Sequence, residues 1–194
     1  FIGPNSYDEG VVAADWANEN IGDGECAIIM GLAGTDVVKN RTNGFTERLE
    51  ELGSKIKVVD SQNADWDRNT AKDVAATILK TYPDLKIICC NNDVMAMGAL
   101  EAVKESGKTL NKDVYVIGMD GTDEAYESIR ANELSATVSM YPLYESQMAT
   151  ECAVRILLGQ EMPSVIWTPA MVTDATNVDA DEADTIGWTD PTFE

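Results

Sequence analysis

Histidine is missing from all 194 positions of this chain. With it go the commonest general base, a common metal ligand and the side chain that changes charge near neutral pH. There is no G-x-S-x-G elbow, and Gly107-Lys108-Thr109 resembles the end of a P-loop only superficially, because Ala102 stands where the first glycine belongs. An enzyme is therefore not expected. Basic side chains are scarce, 14 against 34 acidic ones, for a net charge of −20. Such a surface repels phosphate backbones and anionic lipids, so nucleic acid is excluded as a partner. No apolar run approaches the roughly 18 residues a spanning helix needs, and direct membrane insertion is not expected. The four cysteines, Cys26, Cys89, Cys90 and Cys152, lack metal-ligand spacing and read as free buried thiols. Asn18, Glu19, Asn20, Asp23 and Glu25 form an oxygen-rich turn without EF-hand spacing, which reads as a solvated loop. No metal and no cofactor is expected. The first residues, Phe1-Ile2-Gly3, look like the end of a strand already under way, so a processed or truncated chain is expected.

What is present is organised around KIICCNNDVMAMGALEAV, residues 86–103. Ile87-Ile88-Cys89-Cys90 is too short for a helix and rich in strand formers, so it reads as a buried strand. Ala96, Leu100 and Val103 then recur at helical spacing, and Asp93 stands where a helix N-cap belongs. That leaves Asn92 between the carboxyl end of a strand and the amino end of a helix, where open α/β sheets bind ligands. Other strands are predicted over 26–31, 55–60, 114–118 and 136–140. Helices are predicted from Ser6 or Asp8 to about 21, over 36–52 with Gly53 as the stop, over 67–81, from Thr122 to about 131, and from Pro142 to about 158. Short extended pieces cover 166–167 and 171–172. From 174 the tail is acidic, with Asp179, Asp181, Glu182 and Asp184, and it carries Trp188 and Phe193. Strands that alternate with helices every 25 to 30 residues indicate an α/β fold: a Rossmann-like parallel sheet flanked by helices. In the order 2-1-3-4-5 the switch point falls between strands 26–31 and 87–91.

The loops after those two strands then face each other, and four side chains stand out. Arg41 shares a helix face with Phe45 and lies in the first turns, where the macrodipole disfavours a cation. It needs a partner, either a nearby carboxylate or a ligand. Asp120 follows the strand directly and precedes Thr122, which already supplies a cap; it is a turn carboxylate or a ligand contact. Trp66, in the polar loop ADWDR, is a lid on the core or a stacking platform. Met119 and Met140 also end strands and can line the cleft or pack in the core. Planar donors and acceptors beside an aromatic face suit the vicinal hydroxyls and C–H face of a sugar better than a phosphate.

GLAGTDVVKNRTNGF, ADWDR, NNDVMAMGAL, VIGMDGT and ATVSMYP, in this order and spacing, resemble the carboxyl-terminal half of periplasmic monosaccharide-binding proteins of sugar ABC importers, the ribose-binding type. The resemblance implies one lobe of a two-lobed fold in which a hinged cleft closes on a pentose or hexose. Carried over position by position, it implies sugar contacts at Arg41, Trp66, Asn92 and Asp120. The family often has an aromatic at the position of Met119 and an amide at that of Met140, so both mark departures. By the same resemblance, 1–141 form the sugar-binding lobe. Residues 142–173 hold a helix and strand that pack on a missing amino-terminal lobe, plus the final crossing strand, and 174–194 are an acidic tail. The helix that follows Pro142 is expected to carry an orphaned apolar stripe, to be covered by that lobe or by a second copy of the chain. An ABC permease and an extracytoplasmic location follow from the resemblance. The effector-binding domain of a LacI-type regulator is the alternative.

Overall fold

The computed structural model describes residues 1–180. In chain order the elements are β1 (Ile2–Pro4), α1 (Ser6–Asn20), β2 (Asp23–Met30), α2 (Asp36–Glu51), β3 (Lys55–Asn63), α3 (Arg68–Thr81), β4 (Leu85–Cys90), α4 (Asp93–Glu105), β5 (Tyr115–Asp120), α5 (Asp123–Arg130), β6 (Ala136–Ser139), α6 (Pro142–Leu157), β7 (Ile166–Thr168) and β8 (Met171–Asp174). The main sheet runs β3-β2-β4-β5-β6-β8. Its first five strands are parallel and carry the 2-1-3-4-5 order, with the reversal between β2 and β4 as the periodicity predicts. Where the sequence predicts only a short extended piece over 171–172, β8 joins the sheet as a sixth, antiparallel strand, pairing Val172 with Val138. β1 and β7 form a separate parallel pair.

Alternation along the central strands divides the core. In β2, Cys26 and Ile28 face one side and Ala27 and Ile29 the other; in β4, Ile87 and Cys89 oppose Ile88 and Cys90. Both sets are buried because helices cover both faces, the arrangement parallel sheets require. On one side α1 and α2 supply Ala13, Ala14, Ala17, Phe45 and Leu49. On the other, α3, α4 and α5 supply Ala71, Ala75, Ile78, Leu100 and Ile129. The four cysteines are free and buried, and burial pushes the Cys89 thiol up to about 12.

Helix α1 approaches α2 backbone to backbone. A Cβ at Gly44 would stand 2.0 Å from the Tyr7 carbonyl oxygen, and one at Gly10 would stand 2.2 Å from that of Arg41. Only glycines permit this distance, and it brings the first turn of α1 against Arg41.

Two predicted caps are corrected. Asn5, not Ser6 or Asp8, caps α1 through the Tyr7 N–H. Asn92, not Asp93, caps α4: its Oδ1 accepts the Met95 N–H at 2.9 Å. Thr122 caps α5, as read. Residues 174–180 are pinned and not merely solvated, since Arg130 pairs with Asp179 at 2.8 Å and Val178 packs on the core. Asp181, Glu182, Asp184, Trp188 and Phe193 lie outside the described residues.

Helix α6 buries only Cys152 along its length. Leu143, Ile156, Leu157 and Leu158 are exposed, as is Trp167 on β7.

Candidate functional site

The carboxyl ends of the parallel strands meet at the switch point, and there Arg41 is the hub. It projects from the second turn of α2 and is almost fully buried. Its Nε donates to Glu9 Oε2 at 2.6 Å, a residue of α1 that is itself buried. Nη1 donates to the Asn91 carbonyl at 2.5 Å and to Asp120 Oδ1 at 3.1 Å. Nη2 approaches Met140 Sδ at 3.5 Å, a weak acceptor. The ion pairs with Glu9 and Asp120 supply the carboxylate partners that the structural reading of Arg41 calls for, and among the described residues Nη2 has no partner besides Met140 Sδ.

Asp120 is drawn out of strand geometry at φ 127, followed by Gly121 at φ 74, a conformation that favours glycine. The turn is held from beneath by Asp93. That carboxylate accepts the Thr122 N–H at 2.8 Å, the Thr122 hydroxyl at 3.1 Å and the Thr137 hydroxyl at 2.6 Å. Thr137 Oγ1 in turn accepts the Gly121 N–H at 3.3 Å. Burial pushes Asp93 up to about 6 in spite of these bonds. Burial also raises Asp120, an effect that Arg41 opposes and Glu9 reinforces. For Arg41, burial disfavours the charge, but the hydrogen bond and charge of Glu9 and then Asp120 outweigh it and hold the guanidinium above its ordinary value.

Trp66 stands at φ 65 after Asp65 at φ 50, a left-handed pair that turns the indole back over the sheet. The ring lies on Gly31: a Cβ there would meet Trp66 Cε2 and Cζ2 at 2.3 Å. It packs against the core edge while remaining partly exposed, so it has the packing role of a lid and keeps some surface open. Gly31 N–H reaches Asn91 Oδ1 at 3.4 Å, which also accepts from the Thr42 hydroxyl at 3.4 Å. Trp66 is thereby linked through Gly31 and Asn91 to Arg41.

The structure brings Arg41, Asp120 and Met140 into direct contact and sets Asn92 beside Asn91. Asn92 is nearly buried with its oxygen committed to α4. Met119 is corrected: it is fully buried among the side chains of α1 and α2 and lines no cleft. Strand parity explains this, because Met119 lies two residues after Ile117 and shares its buried face. The sequence reading does not single out Glu9 or Asn91, nor Asp93 as the support of the Asp120 turn. The usable signal for Glu9 was Arg41 itself, a cation placed against the dipole, together with Gly10 and Gly44, which mark where two helices touch. Among the described residues no group of three or more histidine, cysteine or acidic side chains could hold a metal ion, and no helix is long and apolar enough to cross a membrane.

With this geometry in hand, the chain can be set beside known proteins. The model of the periplasmic binding protein domain matches residues 1–161. The ribose import binding protein RbsB of Bacillus subtilis is 37% identical over 161 residues, 82% of this chain and 50% of that protein. The D-allose-binding periplasmic protein of Escherichia coli is 42% identical over 144 residues, 73% of this chain and 45% of that protein. Among solved structures, an ABC transporter periplasmic solute-binding protein of Actinobacillus succinogenes with bound D-allose superposes with a TM-score of 0.84 at 32% identity, covering 91% of this chain and 62% of its own. This chain thus spans about half the length of the curated relatives it matches.

Proposed function

Since this chain belongs to the periplasmic binding protein domain family, we propose that it is the carboxyl-terminal sugar-binding lobe of an extracytoplasmic solute-binding protein, which captures a neutral pentose or hexose for an ABC permease. The observation that carries this reading is the Arg41 cluster. A guanidinium fixed by Glu9, Asn91 and Asp120 at the switch point still has donor capacity at Nη2, beside the Asp120 carboxylate, and the Trp66 indole is tied to it through Gly31 and Asn91. Forked donors and paired oxygens match adjacent hydroxyls, and the indole offers a face for C–H groups. Asn92 and Met140 complete the rim. Relatives named for ribose and allose, and a neighbour holding D-allose, support this ligand class. The Bacillus subtilis relative is named an import binding protein and the D-allose-bound neighbour an ABC transporter solute-binding protein, which favours transport over the regulator alternative. Binding and release need no bond to be made or broken, so no catalysis is assigned.

We assign the exposed leucines of α6 and the β1–β7 pair to a second, amino-terminal lobe, which would form the other wall of the cleft. The chain alone then presents one wall and binds sugar weakly. A thermal-shift screen of neutral monosaccharides tests the reading, because a ligand of the native state raises its melting point. D-ribose or D-allose is expected to raise it at millimolar concentration, and Arg41→Ala to abolish the rise. No response to any pentose or hexose would refute the assignment.

A further inference from the structure

We propose that Glu9 is the specificity-determining residue that makes this site refuse anions: by neutralising Arg41 from behind, it reserves the guanidinium for uncharged hydroxyls. The inference deepens the sugar-binding reading and rests on Arg41 facing the ligand.

An arginine at a ligand rim is ordinarily a hazard for a neutral-sugar site, since its fork matches carboxylates and phosphates better than it matches alcohols. Glu9 alters that. Its Oε2 takes the Nε–H at 2.6 Å, closing the edge of the fork through which a bidentate anion would be gripped by Nε and Nη2. Asn91 and Asp120 occupy Nη1. Among the described residues only Nη2 retains unused donor capacity, and it is flanked by a thioether. The charge balance points the same way. Glu9 and Asp120 place two carboxylates on one guanidinium, so with both ionised the cluster carries −1. An entering anion would meet an excess of negative charge in a poorly solvated site, where repulsion is weakly screened. Glu9 is fully buried, and its second oxygen, Oε1, has no hydrogen-bond partner among the described residues. A carboxylate kept in that position at a desolvation penalty is not explained by packing alone, for glutamine would fill the same space. The contact of α1 and α2 at Gly10 and Gly44 is what delivers it.

The test uses inorganic sulfate as the anion and D-ribose and D-allose as neutral probes, read at the Arg41 Nε–H signal by NMR in the chain and its Glu9 variants. In the unaltered chain sulfate is expected to leave Arg41 unperturbed. Glu9→Gln frees the guanidinium charge and should raise the sulfate-to-sugar affinity ratio about tenfold or more. Glu9→Asp, which keeps the charge, should retain the refusal; a merely structural role would make both variants alike. If Glu9→Gln does not fold, the unaltered chain decides alone: sulfate saturating Arg41 at millimolar concentration overturns the proposal, and no perturbation upholds it. An unchanged ratio in a folded Glu9→Gln also overturns it. Should no sugar bind any form, the sugar reading fails while the sulfate comparison still judges Glu9.

Discussion

The Arg41 pole and the α6 end of this molecule handle their awkward groups in opposite ways. At the pole, a buried cation and the acidic side chains around it find most of their partners within the chain. Arg41 pairs with Glu9, Asn91 and Asp120, and Asp93 with Thr122 and Thr137, while Glu9 Oε1 alone of these carboxylate oxygens is buried without a partner among the described residues. At α6 nothing comparable occurs. Leu143, Ile156 and Leu158 are exposed and Leu157 is 86% exposed, with Cys152 the sole buried side chain of the helix. On the proposed function, the difference separates a ligand site from a surface for a second lobe. A site meant to meet a small ligand is organised beforehand, because ordering it on binding would subtract from affinity. The surface proposed to meet a second lobe is apolar and exposed.

The comparison is broken most directly by truncating one side chain in each region. Phe45→Ala, in the core beneath Arg41, is expected to destabilise the chain by about 3–5 kcal/mol in urea unfolding. Leu157→Ala should stay within about 0.5 kcal/mol, because its side chain leaves water in neither state. Equal losses would mean that α6 is packed after all.

Within the pole, Arg41→Met leaves Glu9 as a buried carboxylate without its cation, and a loss on the order of 3 kcal/mol is expected. The double variant Glu9→Gln, Arg41→Met should recover part of it. Additive losses in that cycle would show that the two side chains are not coupled.

A smaller effect concerns pH. Burial holds Asp93 at about 6, against about 3.9 for an unfolded aspartate. The folded chain therefore binds this proton more tightly than the unfolded chain does. The stability this confers is complete below about pH 4 and is lost as the pH rises through 6. Asp93→Asn removes that dependence. The stability of the unaltered chain relative to Asp93→Asn should fall by about 2–3 kcal/mol between those limits. A flat difference would show that Asp93 titrates normally.

How far the sequence reveals this architecture depends on the range of the contact. The strand order and the meeting of Arg41 with Asp120 follow from periodicity and the switch-point rule, because both are consequences of a pattern repeated along the chain. Asp93 gives up the cap to Asn92 because a helix can begin at either, and Asp93 is instead held by Thr122 and by Thr137, the latter 44 residues away. Met119 is misplaced by strand parity, a one-residue matter that flips a side chain across the sheet. Glu9 is hidden for another reason: an acidic residue in the first turn of a helix already has a local explanation in the macrodipole, and its partner lies 32 residues on. The antiparallel β8 is four residues long, too short for alternation to speak.

The central claim is that a neutral sugar binds at the carboxyl edge of the sheet around Arg41. Titrating isotope-labelled chain with D-allose and with D-ribose, and following the backbone amide signals, tests it most directly. The account predicts saturable shifts, at millimolar sugar, confined to residues 31–42, 64–67, 91–95, 118–122 and 139–141. Shifts confined to the opposite edge of the sheet or to α6 would contradict it.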